Sequence, residues 1–233
     1  MGGRIDAYVD VASFFSYVAF HELRQNLETL QSHGVTVEFH PVLIAAINNL
    51  SGNKPPWVVP AKGKYLAIDS RRAAERVGLT NLKTPEDFVK RALTVSTQRA
   101  LHFVKQHYSH EILVATTATL MAKFWTPPHV NLTIDENLAQ VLREVTDGGE
   151  QGNRVFTQDD VERIMKGREE MKERLKNTTQ KAVELGAFGA PWLWVTNDSG
   201  KSQPFFGSDR FNHVYEFLGV PHQDVALLPP SKL

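Results

Sequence analysis

The 233-residue chain carries 26 lysines and arginines against 26 aspartates and glutamates, so no net basic field argues for nucleic acid or an anionic lipid surface as partner. It contains no cysteine, which excludes disulfides, thiolate metal sites and any mechanism in which the protein supplies its own sulfur nucleophile. Its apolar runs, such as PVLIAAI, fall well short of the roughly 18 residues that cross a bilayer, and the opening MGGRIDAY lacks the apolar core of a signal peptide. The expectation is a folded intracellular protein without a membrane segment, long enough for one compact domain that carries a second as an insertion.

In RIDAYVD (residues 4–10), Ile5, Ala7 and Val9 alternate with polar neighbours, as in a short strand. Phe20, Leu23, Leu27 and Leu30 then recur at helical spacing, and that helix is expected to stop near His33 and Gly34. VTVEFHPVLI (35–44), rich in β-branched residues, predicts a second strand, parallel to the first through a right-handed helical crossover. NNLSGNKPPWVVP reads as a loop. From about 64 to 186 the signals are helical, near 69–78, 85–108, 110–125, 135–146 and 158–185, with breaks at TPPH and DGGEQG. Thr84, Pro85 and Asp87 predict a capped start for the second of these, and Thr157 with Asp160 a capping box for the last. The charged run KGREEMKERLK (166–176) reads as a solvated face above a stripe of Val161, Ile164, Met165, Met171 and Leu175. After Gly186 the pattern reverts to strand: PWLWVTND, a turn at SGK, SQPFF, and a last helix SDRFNHVYEFLG (208–219) beginning at a Ser-Asp cap. The order predicts an α/β protein in which a thioredoxin-like domain (βαβ…ββα; residues 1–63 and 187–233) is interrupted by an all-helical insertion (64–186).

Read from residue type alone, Ser13 at the first strand-to-helix junction is an N-cap worth about 1 kcal/mol. A helix N-terminus is also a place where anions are favoured and thiol pKa values fall. Ser208 and Asp209 carry the same ambiguity at the start of the last helix. His102, His107 and His110 cluster in sequence, but no carboxylate or cysteine completes a set of three or four ligands, so no metal is expected. No GxSxG, phosphate loop or dinucleotide fingerprint is present, which leaves hydrolase, NTPase and dehydrogenase readings unsupported. The chain ends in Ser231-Lys232-Leu233, the peroxisomal address, after a proline-rich stretch that suits an extended, accessible tail.

The serine junction DVASFFSY, the loop SGNKPPWVVPAKGKY, and the segments GAFGAPW and FFGSDR, in this order along the chain, resemble the kappa class of glutathione S-transferases, close to the 2-hydroxychromene-2-carboxylate isomerases within a wider DsbA-like group. The resemblance implies that Ser13 stands where thioredoxin-fold oxidoreductases carry their first reactive cysteine and donates to the sulfur of glutathione. It implies that Pro191 is cis, an arrangement found in only about 5–6% of X–Pro bonds, with Ala190 pairing through its main chain to the cysteinyl part of the tripeptide. Ser208 and Asp209 would receive the γ-glutamyl end, and Asn53 and Lys62, from the loop, would make further glutathione contacts, with Asp69 a weaker candidate. The family usually has proline directly after the serine; here Phe14 follows, which alters the helix start. Glutathione is thus the implied co-substrate, with a small hydrophobic electrophile as second substrate, no metal, a homodimeric assembly, and mitochondria or peroxisomes as the compartment. Two alternatives share the same cleft: an isomerase that regenerates glutathione, and a non-catalytic glutathione or peptide binder.

Overall fold

The computed structural model describes residues 2–148 and 152–224. The Ser231-Lys232-Leu233 tripeptide and part of the DGGEQG break lie outside these residues. Strand β1 (Gly3–Val9) leads into helix α1 (Phe14–Gln25), which is interrupted at Asn26 before α2 (Leu27–Ser32); β2 (Val35–Pro41) follows. The interruption is local, since Asn26 Nδ2 donates to Glu22 O at 2.9 Å. After the helical region come β3 (Trp192–Asn197), β4 (Ser202–Phe206) and the last helix. The sheet runs β2-β1-β3-β4, with β1 parallel to β2 and antiparallel to β3, and β3 antiparallel to β4. The α/β class and the thioredoxin-like order of elements are as expected.

Period-two alternation decides which layer each strand residue enters. Ile5, Ala7 and Val9 share one sheet face with Val35, Val37, Phe39, Leu193 and Val195, and this face is continuous with a core that takes in Tyr17, Phe20 and Leu23 of α1. The opposite face offers Tyr8 and Trp192 to a smaller cluster with Val42, Ile47, Ala182 and Ala187.

The helical region comprises α3 (Ile44–Ser51), a 3-10 turn (Pro56–Val58), α4 (Pro60–Arg76), α5 (Phe88–Arg91), α6 (Val95–His107), α7 (His110–Trp125), α8 (Asp135–Arg143), α9 (Gln158–Gly167), a second 3-10 turn (Arg168–Met171) and α10 (Lys172–Glu184). Several expectations are corrected here. The second strand stops at Pro41 rather than at residue 44, because Leu43 N and Ile44 N turn away to donate to Thr179 Oγ1 and Asp10 Oδ2 and open α3. The stretch read as a loop is therefore helical up to Ser51, where Gly52 at φ 74° terminates it, and α4 begins at Pro60, so Lys62 sits in a helix rather than in a loop. The segment 85–108 is two helices, and neither starts at Pro85 with Thr84 as cap; Thr94, at the break between them, directs its hydroxyl to Asp10. The capping box of Thr157 and Asp160 is present in full. The last helix, α11, runs Phe211–Leu218 with Arg210 at its N-cap, so Ser208 and Asp209 lie in the bend before it and do not cap it. No helix among the described residues is long and apolar enough to cross a membrane.

The charged run 166–176 covers a stripe in which Val161, Ile164, Met171 and Leu175 are buried and Met165 is half-buried, but the run is not solvated throughout: Arg168 is itself buried, paired with Asp135 at 2.6 Å. One position within it carries a packing constraint. A Cβ placed on Gly167 would lie 2.1 Å from the Phe103 ring, which is itself buried. Gly→Ala in a helix ordinarily stabilises by up to about 1 kcal/mol, whereas overpacking a filled core costs about 1–3 kcal/mol. Gly167→Ala is therefore expected to lower the denaturant midpoint at unchanged m-value; a raised midpoint would show that Phe103 moves aside freely.

Candidate active site

The β1/β3 pairing sets Tyr8 opposite Trp192, so the chain leaving β1 meets the chain entering β3. At that meeting point Ser13 Oγ donates to Ala190 O at 2.8 Å and accepts from Ser16 N at 3.2 Å. Ser13 caps α1 in the usual sense, with extended backbone (φ −96°, ψ 115°), while its proton points out of the cap toward the strand entrance. The first turn of α1 holds no acidic residue to offset the positive end of the helix. Phe14 occupies the first helical position, and its ring packs edge-on to Trp125 with centroids 5.2 Å apart. Trp125 Nε1 in turn donates to Val11 O at 2.8 Å, so the turn is gripped from α7.

The Ala190–Pro191 peptide is cis, and Pro191 O accepts from Gly207 N at 3.3 Å. The Ala190 N–H has no acceptor among the described residues. Gly207, at φ +95°, turns the chain into Ser208 and Asp209. Ser208 is buried, and its carbonyl accepts from Arg76 at 2.8 Å; Arg76 is also paired with Glu22 of α1 at 2.6 Å. Asp209 is exposed and pairs with Arg210. Asn53, two residues past the end of α3, donates through Nδ2 to Phe188 O at 2.6 Å, tying its loop to the GAFGAPW segment. Phe188 lies against Phe206 and Trp192, with ring centroids 4.5 and 5.5 Å away.

The structure thus brings Ser13, Asn53, Ala190, Pro191, Ser208 and Asp209 onto one chain of contacts. Lys62 stands apart: it lies in the first turn of α4, exposed, with no hydrogen bond or ion pair to the other six. Two residues that sequence reasoning passed over belong to the surroundings. Arg76 holds the Ser208 carbonyl, for which its sequence position offers no signal. Asp10, almost wholly buried at the end of β1, accepts hydrogen bonds behind the serine turn; an acidic residue closing an apolar strand was the available hint. A cavity of about 410 Å3 opens beside Phe14, lined by Ala67, Ala74, Leu79 and Leu82 together with polar residues that include Arg71, Glu75, Asn81 and Lys83. Among the described residues no His, Cys, Asp and Glu cluster has metal-site geometry, and His102 is engaged with Pro41 O at 2.9 Å.

This arrangement brings together a hydroxyl donor, the positive end of a helix and a backbone N–H that has no acceptor among the described residues, a setting that favours an anionic group. A family model for the DsbA-like thioredoxin domain matches residues 4–219. Glutathione S-transferase kappa 1 of Caenorhabditis elegans is 31% identical over 220 residues, covering 94% of this chain and 92% of that protein. The Homo sapiens protein of the same name is 28% identical over 219 residues, covering 92% and 90%. Among solved structures, a 2-hydroxychromene-2-carboxylate isomerase superposes with a TM-score of 0.73 at 18% identity, covering 93% of this chain and 94% of that one. The cytosolic disulfide reductase DsbM of Pseudomonas aeruginosa gives 0.57 at 14%, covering 93% and 95%, a likeness of fold alone. The chain belongs to the DsbA-like thioredoxin-domain proteins, and within them to the kappa glutathione S-transferases.

Proposed function

We propose that this protein is a glutathione S-transferase that joins the thiolate of glutathione to a small hydrophobic electrophile. The observation that carries the proposal is the Ser13 hydroxyl at the N-terminus of α1, donating to the carbonyl that precedes cis-Pro191. On binding, that proton transfers its hydrogen bond from Ala190 O to the glutathione sulfur, while the cysteinyl main chain pairs with Ala190. Ser208 and Asp209 receive the γ-glutamyl end, and Asn53 and Lys62 complete the contacts. An alkyl thiol with a pKa near 8.5 is mostly protonated at pH 7, and each unit of depression corresponds to about 1.4 kcal/mol. A charge-assisted hydrogen bond worth about 1.5–3 kcal/mol supplies one to two such units. The thiol proton leaves to solvent, the sulfur lone pair forms the new C–S bond, and the displaced group departs with its bonding electrons. No covalent bond to the protein is made.

The cavity beside Phe14, part apolar and part charged, gives a small electrophile room next to the serine turn. The exposed Leu50, Trp57, Val58, Val59, Tyr65 and Ile68, each 43–54% accessible, form an apolar surface around the start of α4 that suits a homodimer. An isomerase of the chromene-carboxylate type would use the same thiolate and release it unchanged. The higher identity to the transferases, 31% against 18%, favours conjugation. The Ser231-Lys232-Leu233 end supports a peroxisomal address and a role in detoxification there.

The transferase reading predicts thioether formation from glutathione and 1-chloro-2,4-dinitrobenzene with one-for-one loss of thiol. Ser13→Ala should lower kcat/KM by about 10–100-fold at pH 7 and move the rise of the pH profile upward by about one to two units, since its bound thiol ionises later. Full activity in that variant would leave Ser13 as a helix cap only; thiol returned intact after turnover would indicate isomerisation, and binding without turnover a mere binder. For the address, a tagged chain lacking its last three residues is expected to lose co-localisation with a peroxisomal marker, and its retention there would contradict the assignment.

A further inference from the structure

Asp10 is 1% accessible, and no cation among the described residues contacts its carboxylate. Four donors converge on it instead: Ala12 N (2.9 Å), Thr94 Oγ1 (2.9 Å) and Gln98 Nε2 (2.7 Å) on Oδ1, and Ile44 N (2.8 Å) on Oδ2. The first closes a local turn of the kind aspartate favours. The remaining three come from α3 and from the start of α6, which is sequence-distant from the serine. The main chain of Asp10 is engaged in the same turn: its carbonyl accepts from Ser13 N at 3.0 Å, and its N–H donates to Ser16 Oγ at 3.4 Å. A local turn alone needs one acceptor, and burying a carboxylate is costly unless several donors converge on it.

We infer that Asp10 is the positioning residue of Ser13: its carboxylate fixes the serine turn in register with α3 and α6, so that the helical region takes part in aiming the hydroxyl. Proline after the serine would hold this turn through its own fixed φ. In this chain Phe14 stands there, and the turn is held from outside, by the Asp10 network on one side and by Trp125 against Val11 and Phe14 on the other. Burial pushes the Asp10 carboxyl up from its ordinary pKa, while the four donors act against that shift and favour the ionised form.

The inference rests on the glutathione reading for its functional readout, and the test separates the two. Asp10→Asn keeps an oxygen for Ala12, Thr94 and Gln98 and replaces the acceptor of Ile44 N with a donor; Thr94→Val keeps shape and removes one donor from α6. Both proteins, with the wild type, are titrated for thiolate absorbance of bound glutathione and assayed for glutathione Kd and kcat at temperatures below their unfolding transitions. The expected result is a bound-thiol pKa raised by about one unit and kcat at pH 7 lowered about tenfold, with Kd changed less than about threefold. Variants that lose thermal stability but keep the wild-type thiol pKa and kcat would overturn the inference, because the network would then serve folding alone. Should the wild type itself bind no thiolate, the glutathione reading fails, and crystal structures of ligand-free wild type and Thr94→Val decide the rest. Loss of the Ser13–Ala190 hydrogen bond in the variant upholds the positioning role, and its retention refutes it.

Discussion

The antiparallel pairing of β1 with β3 is the constraint on which the candidate site depends. It sets Tyr8 against Trp192 and thereby places the first residue past β1's turn beside the last residues before β3, although Ser13 and Ala190 are 177 positions apart. From that juxtaposition the rest follows locally: the helix that must start at Ser13 points its positive end at the junction, and the cis peptide at Pro191 presents its neighbour's main chain there. The β3–β4 hairpin returns Gly207 to Pro191 O, which brings Ser208 and Asp209 to the same place.

A chain without cysteine has removed the redox chemistry for which this position is suited in thiol-bearing thioredoxin folds, while keeping the electrostatics that stabilise an anionic sulfur. A serine hydroxyl cannot exchange disulfides, but it donates one directed hydrogen bond, and in a buried setting such a bond is stronger than in water. The sulfur then has to arrive with the ligand. An extended tripeptide suits the junction because the Ala190 N–H, without an acceptor among the described residues, and the turn at Ser208 lie at the same end of the β3–β4 pair.

Much of this was legible before any coordinates. Ile5, Ala7 and Val9 alternate cleanly because β1 is buried on the face they share, and Thr157 with Asp160 announced a capping box that the structure forms in full. The errors fell where tertiary contacts overrode local signals. PVLI (41–44) looks like the continuing strand by its β-branched residues, yet Ile44 N bonds the Asp10 carboxylate and Leu43 N bonds Thr179, which turns the segment into a helix. Thr84-Pro85 has the composition of a helix start, but the chain is broken at Thr94, whose hydroxyl is taken by Asp10. At the site, Ser13 and the GAFGAPW and FGSDR segments were visible as motifs. Arg76 was not, because a carbonyl-holding arginine acts through a partner 132 positions away, and Asp10 left only the hint of an acidic residue closing an apolar strand, since three of its four donors come from α3 and the start of α6. Lys62 was visible as part of a motif, but it makes no contact in the structure to join it to the others.

The central claim is that the Ser13 hydroxyl exchanges its Ala190 partner for the sulfur of glutathione. A crystal structure of the protein with glutathione tests this most directly. The account predicts the sulfur within hydrogen-bonding distance of Ser13 Oγ, the cysteinyl main chain paired with Ala190, and the Ser13–Ala190 bond broken. Glutathione bound elsewhere, or bound here with its sulfur turned away and the Ser13–Ala190 bond intact, would contradict it.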